Sequence, residues 1–356
     1  MTKPLISLRD GIQQATIRLT KAGVDSPRLS AEVLLSHCLG MDSNTFRKTL
    51  IMEPNTLISP SHHQRFTILC DQRAKGTPVA YLTGTKEFYG LDFIVTPATL
   101  IPRPDTELLV ECGLQAARIL EDSFALPASP CGTLPIPPQT SLPPPSLQAS
   151  AQPFFFADFG TGSGCIAICL ALNLPHWHGV ALDISPDALT VARANAEAHR
   201  VTNLNCLEAS FYTPPLTSQS LHMIVSNPPY ISTSHYAELD HEVRDYEPRS
   251  ALIPKTFKRT ASGTPDLSTQ AISPPACPPT SQYPVEEKTT SNGLEDFFAI
   301  IEQAEILLKP QGILLMEMGF DQADSLRGYL MRRRWSDITV HKDLAGHNRV
   351  IQACWT

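Results

Sequence analysis

Four consecutive residues after an apolar segment could hold a planar amino group: Asn227, Pro228, Pro229 and Tyr230. The preceding residues, 221–226, are apolar and predict a strand. Neither proline has an N–H, so the pair cannot extend a strand ladder and predicts a rigid turn with outward carbonyls. The Asn227 side-chain oxygen and the Pro228 carbonyl could accept both N–H bonds of an NH2 group, while the Tyr230 ring packs on its plane.

This arrangement suits methyl transfer to an amide or an exocyclic amine. The lone pair of such a nitrogen is delocalised, so it must be aimed at the methyl group, and a sulfonium donor needs no metal or strong base. Correct orientation can lower a barrier by about 7–11 kcal/mol. We therefore take Asn227, Pro228 and Tyr230 as catalytic candidates, and add Pro229 to them as substrate-binding candidates.

A glycine-rich turn stands between a predicted strand and a predicted helix at residues 158–164, with the sequence DFGTGSG. Glycines permit a sharp turn and a close ligand approach, and N–H groups at the helix start are expected to face the crevice. A dinucleotide fingerprint needs G-x-G-x-x-G, but position 165 is Cys165. The G-x-G-x-G spacing, with Asp158 two residues before its first glycine, is typical of class I methyltransferases.

Asp183 ends the next predicted strand and is a second ligand candidate. A carboxylate there could accept hydrogen bonds from both hydroxyls of a ribose. The competing interpretation is a helix cap for the segment starting at Pro186. Ser185 is better placed to be that cap, so the ribose role is favoured for Asp183.

Composition narrows the partner classes. The 356-residue chain has a formal net charge of −7, whereas gripping a duplex takes many cations on the phosphates. The dense basic run from Arg332 to Arg334 is interpreted as a solvated helix end. We therefore expect no direct nucleic-acid substrate.

The sequence also indicates the compartment and whether disulfides or a metal site are expected. No apolar stretch approaches the roughly 20 residues of a membrane helix, and residues 1–8 lack a signal-peptide pattern. The nine cysteines include no CxxC pair, so neither a disulfide framework nor a metal site is expected. The chain is predicted to be cytoplasmic, monomeric and without a membrane partner.

The elements that must position these motifs alternate between strand and helix. Strands are predicted near residues 154–158, 180–183, 205–208, 221–226 and 312–318, with helices between them. Such alternation predicts a doubly wound sheet with helices on both faces. Residues 337–341 and 350–354 are predicted to close the chain as a strand pair.

The remaining segments divide the chain. Residues 1–76 predict a helical domain, in which Ser7 and Asp10 resemble a capping box and Ser26 a second cap. Residues 77–95 predict a connecting β-hairpin, and residues 96–356 the catalytic domain. Segments 123–153 and 253–290 contain nine and seven prolines respectively and are interpreted as surface insertions.

Together with three further segments, these motifs resemble the bacterial peptide chain release factor glutamine methyltransferase family. The segments are PVAYLTG at 78–84, EFYGL at 87–91 and LIPRPDTE at 100–107. The resemblance covers nearly the whole chain outside the insertions. It implies an α/β class I (Rossmann-like) methyltransferase sheet with an antiparallel last strand, plus a small N-terminal helical bundle that contacts the release factor.

The same resemblance implies a substrate and a cofactor. The substrate would be the glutamine of the GGQ motif in class I release factors, methylated on N5 by S-adenosyl-L-methionine. Asn227, Pro228 and Tyr230 would hold its amide, and Phe211 would lie near the adenine. The cofactor-binding set is Gly160, Thr161, Gly162, Ser163, Gly164, Asp183, Phe211 and Asn227.

Some features depart from the family pattern. Ser210 stands where many relatives place an acid, and the insertion at 253–290 splits a segment that is usually contiguous. The insertion at 123–153 precedes the cofactor strand, so deleting residues 125–150 is expected to preserve activity. Glu317, Gly319 and Gln322 fit a family pattern after the fifth strand and are assigned only an architectural role.

Other functions fit part of the pattern. A ribosomal-protein glutamine methyltransferase would use the same active site, and an adenine N6 methyltransferase could use Asn-Pro-Pro-Tyr on a flipped base. The acidic balance argues against the latter. A non-catalytic NAD-binding module is disfavoured by the glycine spacing together with the Asn-Pro-Pro-Tyr loop. If the protein were only a scaffold that binds the release factor, substitution of Asn227 would not impair it.

Overall fold

The computed structural model describes residues 5–125, 153–254 and 291–356. Both proline-rich insertions lie outside these residues except at their ends. The described helices are α1 (Leu8–Lys21), α2 (Pro27–Leu39), α3 (Ser43–Met52), α4 (Pro60–Arg73), α5 (Val79–Thr83), α6 (Glu107–Ala125), α7 (Cys165–Asn173), α8 (Pro186–Ala198), α9 (Thr233–Tyr236), α10 (His241–Tyr246), α11 (Glu295–Leu307) and α12 (Ala323–Met331). The described strands are β1 (Ile6–Ser7), β2 (Leu57–Ile58), β3 (Thr85–Phe88), β4 (Leu91–Ile94), β5 (Phe154–Phe159), β6 (Trp177–Asp183), β7 (Leu204–Glu208), β8 (Leu221–Ser226), β9 (Leu308–Glu317), β10 (Trp335–Lys342) and β11 (Asn348–Trp355).

The chain forms two compact units. The first comprises residues 1–102 and 229–296, and the second comprises 103–228 and 297–356. The first unit therefore includes residues after the Asn-Pro-Pro-Tyr motif that the sequence assigned to the catalytic domain. The functional division at residues 76 and 95 stays a prediction.

The helices of the first unit bury an apolar core, as their periodicity predicts. Leu8, Ile12 and Leu19 line the buried face of α1, and Phe46 and Phe66 enter the same cluster from α3 and α4. Burial of each large apolar side chain contributes about 1.5–3 kcal/mol. This cluster gives the helical bundle its own core.

The two predicted caps of this bundle differ. Ser7 accepts the N–H of Asp10 at 3.1 Å and donates to its carboxylate at 2.7 Å, which confirms the capping box. Ser26 occupies the N-cap position of α2, but its side chain makes no capping hydrogen bond. Its φ of 49° puts the backbone in the left-handed region. The prediction that the Ser26 side chain caps α2 is therefore wrong, although α2 does begin at Pro27.

Two short antiparallel strand pairs complete the described part of the first unit. The predicted hairpin is formed by β3 and β4, with Glu87 opposite Asp92. Tyr89 and Gly90 both have positive φ, as a tight two-residue hairpin turn requires. The pairing of β1 with β2 was not predicted, because two residues are too few to show alternation.

The second unit contains a seven-stranded sheet in the order β10-β11-β9-β8-β5-β6-β7. Strands β5 to β9 pair in parallel, whereas β11 runs antiparallel to both β9 and β10. This confirms the predicted class I methyltransferase sheet with an antiparallel last strand. No described helix is long and apolar enough to cross a membrane.

Strand register brings the sequence motifs to one edge of this sheet. Phe159, the last residue of β5, is paired with Leu182 of β6 and with Ser226 of β8. The segments that follow these three residues therefore leave the sheet side by side at its carboxyl edge. In open α/β sheets this edge is where ligands bind.

Candidate active site

The glycine-rich loop after β5 is shaped by left-handed backbone at Gly160, Gly162 and Gly164, whose φ values are 74°, 56° and 82°. Side chains with a Cβ rarely adopt this conformation. A Cβ placed on Gly162 would meet no atom within 4 Å, so the loop faces open space there. The glycines therefore serve the turn and leave room for a ligand against the backbone.

Most N–H groups of this loop are already bonded within the protein. Those of Gly160 and Thr161 donate to the Leu182 carbonyl at 2.9 and 2.8 Å. The N–H of Gly162 donates to Asp183 Oδ2 at 2.9 Å, and that of Gly164 donates to the Thr161 carbonyl at 2.9 Å. These four N–H groups are bonded because the end of β6 and the loop itself supply acceptors.

Asp158 is fully buried directly before the glycine loop. Its Oδ2 accepts the Thr161 hydroxyl at 2.6 Å, while no hydrogen bond of ordinary geometry from another described residue reaches Oδ1. Burial raises the pKa of this carboxyl to about 7, against the opposing effects of the Thr161 hydroxyl and the Ala167 backbone N–H. The side chain thus holds unused acceptor capacity next to the loop.

Asp183 closes the other side of the loop. Its Oδ1 accepts the N–H of Ser185 at 2.9 Å, and Oδ2 accepts that of Gly162. The cap of α8 is Ser185, which accepts the Ala188 N–H at 3.2 Å, so the sequence-based assignment of that cap is confirmed. Asp183 therefore lies beside Gly162 at the carboxyl end of β6, and a carboxylate is a group that accepts hydrogen bonds from hydroxyls.

These features fit a cationic ligand with a ribose better than a dinucleotide. A pyrophosphate needs free N–H groups and positive potential, whereas four loop N–H groups are occupied here and two carboxylates, Asp158 and Asp183, flank the loop. Carboxylates attract cationic groups and accept from hydroxyls. The residues present therefore fit S-adenosyl-L-methionine.

Phe211 lies beside this loop. Its ring stacks on Phe159 and on Tyr212, at centroid distances of 6.5 and 5.0 Å, and its edge would lie 4.0 Å from a Cβ on Gly160. The hydroxyl oxygen of Ser210 accepts the Tyr212 N–H at 3.2 Å. A flat half-buried ring next to the loop is suited to pack on a base.

Two further loop residues of the predicted cofactor set are buried. Ser163 is 3% exposed and Thr161 is 4% exposed. The Ser163 carbonyl accepts the side-chain amide of Asn195 from α8 at 2.9 Å. Ser163 therefore links the loop to α8.

Asn227 follows β8 at the same edge of the sheet. The preceding Ser226 hydroxyl donates to the Phe159 carbonyl at 2.6 Å, which fixes the end of the strand. The side-chain nitrogen of Asn227 donates to Thr106 Oγ1 at 3.3 Å. Pro228 is buried, while Asn227 is half-buried. Thr106 was missed as a site residue, although it belongs to the LIPRPDTE motif.

The chain passes from the second unit to the first between Pro228 and Pro229. In the first unit, Pro229 and Tyr230 are half-buried, and the N–H of Ile231 donates to the Leu252 carbonyl at 2.9 Å. Tyr230 is adjacent to the amide-holding residues in sequence. Its role as the stacking ring stays a prediction.

Within the first unit, the segment after the motif is fastened to the helical bundle. Arg73 of α4, whose side chain is 5% exposed, forms an ion pair with Glu242 of α10 at 2.6 Å. The buried Glu247 accepts the N–H of Ile101 at 3.1 Å, and the Tyr246 hydroxyl donates to a backbone carbonyl after α4. These positions carried no recognisable signal in the sequence, because the partners are remote along the chain.

The segment after β9 is built as an internal turn. The side-chain oxygen of Gln322 accepts the Gly319 N–H at 2.9 Å, and the Gln322 N–H donates to the Gly319 carbonyl. Glu317 is buried at the end of β9. These contacts agree with an architectural role. Among the described residues, no group of His, Cys, Asp or Glu could hold a metal ion.

Two family models match the chain. One is described as the PrmC N-terminal domain and matches residues 10–84. The other is described as the methyltransferase small domain and matches residues 147–242, a range that includes the glycine loop and Asn227.

Several proteins are similar over almost the full length. A release factor glutamine methyltransferase of Nitratidesulfovibrio vulgaris is 35% identical over 98% of this chain and 95% of its own. The protein of the same name from Salmonella typhimurium is 34% identical over 92% of this chain and 91% of its own. A bifunctional methyltransferase of Rickettsia typhi is 32% identical over 97% of this chain, which spans 57% of that protein.

Proposed function

The chain belongs to the release factor glutamine methyltransferase family, and from that membership we propose that it methylates the glutamine of the GGQ motif in class I peptide chain release factors. The methyl group goes to the side-chain nitrogen, N5. The donor is S-adenosyl-L-methionine, which supplies an electrophilic methyl group on a sulfonium centre. The protein's own residues bind and orient the cofactor and the glutamine amide.

The cofactor side of the site is assigned to the second unit. Gly160 to Gly164 provide close backbone approach, Asp183 accepts the ribose hydroxyls, and Phe211 packs on the adenine. The ionised form of Asp158 favours a cationic ligand. These roles are supported by the open space over Gly162, by the two carboxylates beside the loop and by the ring next to Gly160.

The substrate side is assigned to the Asn-Pro-Pro-Tyr segment. Asn227 Oδ1 and the Pro228 carbonyl accept the two N–H bonds of the glutamine amide, so that its lone pair faces the methyl group. Pro229 keeps the turn rigid, and Tyr230 packs on the amide plane. Methylation makes the amide nitrogen cationic and acidic, so it releases one proton without a strong base.

The observation that carries this proposal is the state of the Asn227 amide. Its nitrogen is held by Thr106, and among the described residues no hydrogen bond reaches its oxygen. An acceptor held at the carboxyl edge, in register with the glycine loop, is what an amide donor on a substrate requires.

The same proposal covers the partner, the excluded substrate class, the oligomeric state and the compartment. The partner is a class I release factor docked through the helical domain, and nucleic acid is not a direct substrate. The protein acts as a monomer in the cytoplasm. The net charge of −7 supports the exclusion of nucleic acid, since phosphate binding needs clustered cations.

The test is mass spectrometry of the GGQ peptide from purified release factor after incubation with the protein and S-adenosyl-L-methionine. We expect the mass of one methyl group on the glutamine. Asn227→Ala should lose this product while retaining its affinity for the release factor, which separates an enzyme from a scaffold.

A different product would redirect the assignment. Methylation of a ribosomal protein with none on the release factor would favour the sister glutamine methyltransferase. Methylation of adenine, together with nucleic-acid binding that falls steeply with salt, would replace the protein substrate altogether.

A further inference from the structure

The Asn227 side chain can be useful only in one of two orientations. Its oxygen and nitrogen are nearly equal in size, and rotation by half a turn exchanges an acceptor for a donor. A substrate amide that offers two N–H groups needs the acceptor. An unrestrained Asn227 would spend part of its time presenting its own NH2 group.

Thr106 is placed to decide this orientation. Its side chain is 3% exposed, and its Oγ1 lies 3.3 Å from Asn227 Nδ2. A hydroxyl can donate or accept, and only the accepting role leaves Asn227 Oδ1 for the substrate. The distance is at the long end of the usual range, as hydrogen bonds in ligand-free sites often are.

Thr106 is itself held from two directions. It ends a 3-10 turn, Pro104–Thr106, in which its N–H donates to the Arg103 carbonyl at 3.1 Å. The neighbouring Asp105 pairs with Arg349 of β11 at 3.0 Å, and Arg349 also binds Asp343 at 3.0 Å. The turn is therefore tied to the antiparallel end of the sheet, which holds the Thr106 oxygen in place beside Asn227.

We infer that Thr106 is a positioning residue that holds the Asn227 amide with its oxygen toward the substrate. The inference rests on the proposed function for its consequence in catalysis, but the orientation of the amide is a property of the free protein. It also explains how the LIPRPDTE segment contributes to the site, because Arg349 anchors Asp105 and the next residue, Thr106, sets the acceptor.

The first test uses NMR spectroscopy to measure the signals of the Asn227 side-chain amide. In full-length protein labelled with isotopic asparagine, the Asn227 side-chain NH2 signals are identified by their loss in Asn227→Ala. Thr106→Val keeps the shape of the side chain but removes the acceptor. We expect it to shift these signals and to raise their temperature dependence, whereas Thr106→Ser should leave them near their original positions. Unchanged signals in Thr106→Val would overturn the inference.

The second test measures turnover on the release factor. Thr106→Val removes one neutral hydrogen bond to the Asn227 amide. We therefore expect kcat to fall by about tenfold, while KM for the release factor and the cofactor Kd stay within about twofold. Thr106→Ser should recover most of the loss. The matched control is Thr99→Val, another buried threonine, whose hydroxyl donates to the Thr96 carbonyl at 3.3 Å.

The amide signals and kcat are compared in the same variants to separate orientation from general support. Thr106→Val should change both, and Thr106→Ser should restore both. A lower kcat with unchanged amide signals would refute a role through Asn227. If the valine variant does not fold, Thr106→Ala carries the same comparison. Shifted amide signals in a protein that never methylates release factor would reject the proposed function and leave the positioning role in place.

Discussion

Among single residues, Asp158 is unfavourable to bury in the folded protein but is suited to bind a cationic ligand. A fully buried carboxylate is unfavourable in the folded state. Its pKa is raised to about 7, so it charges readily near neutral pH. Buried groups with strongly shifted pKa values are often found at functional sites.

This residue predicts a pH dependence of cofactor binding. A cationic ligand favours the ionised carboxyl, so binding releases a proton whenever Asp158 is protonated in the free protein. Affinity for S-adenosyl-L-methionine should therefore rise by about tenfold from about pH 6 to about pH 8. Titration calorimetry of wild type and Asp158→Asn measures this. The variant should bind more weakly at about pH 8, with a flatter profile; equal slopes in both proteins would contradict the assignment.

The same group has the opposite effect on the stability of the free protein. Because its folded pKa lies above the ordinary value of 3.8, the folded state binds more protons than the unfolded state between these two values. The contribution of Asp158 to stability is thus lost as pH rises from about 4 to about 7. Asp158→Asn should accordingly melt higher than wild type above this window.

Among the elements, the strands of the second unit and α10 of the first have different roles. The register of β5, β6 and β8 places the glycine loop, Asp183 and Asn227 at one edge. In the first unit, α10 follows the motif and is paired with α4 through Arg73 and Glu242. A buried guanidinium depends on its partner, since an unpaired buried charge is costly.

This ion pair predicts a local effect on stability. Glu242→Gln removes the charge but keeps the shape, and should make opening of α10 easier by about 1–2 kcal/mol. Hydrogen exchange of the amides of residues 241–246 measures it. Glu238→Gln, an exposed neighbour, is the matched control. Exchange rates in α10 as slow as in wild type would show that Glu242 does not hold the helix.

The tryptophans provide an internal reference for that experiment. Trp177, Trp335 and Trp355 all lie in the second unit, so their fluorescence reports on that unit. A variant that loosens α10 alone should leave the tryptophan spectrum unchanged. A changed spectrum would indicate that the substitution reaches beyond the first unit.

At the scale of the whole molecule, the two insertions stand apart in composition. Residues 123–153 contain nine prolines and no charged residue, and they interrupt the chain between α6 and β5. None of the residues assigned to the cofactor or substrate falls in this stretch. The segment lengthens a connection, which costs little free energy once the flanking elements are formed.

A deletion therefore tests whether this insertion matters for activity. Replacing residues 125–150 with a short glycine-serine linker should leave the melting temperature, S-adenosylhomocysteine affinity and methylation of the release factor unchanged. Thermal melting and the mass-spectrometric assay check this, with Asn227→Ala as the inactive reference. Failure to fold would mean that the insertion is part of the structure.

The sequence by itself determined the features that depend on neighbours along the chain. Strand-helix alternation, the glycine spacing and the Ser7 and Ser185 caps are local patterns, set by backbone sterics and by side chains a few residues apart. The loop after β8 and the hairpin at Gly90 were predicted for the same reason. The predicted Ser26 cap was wrong because Ser26 has a left-handed backbone, which the sequence pattern does not reveal, and its side chain makes no capping hydrogen bond.

Tertiary structure alone decided which polar groups meet. Asn227 and Thr106 are 121 residues apart, and Glu247 and Ile101 are 146 apart. The N–H groups of the glycine loop are bonded to Leu182 and Asp183 because parallel register brings the end of β6 beside them. A hydrogen bond needs its partners within about 3 Å at a suitable angle, and for groups remote in sequence only the packing of strands and helices sets that distance.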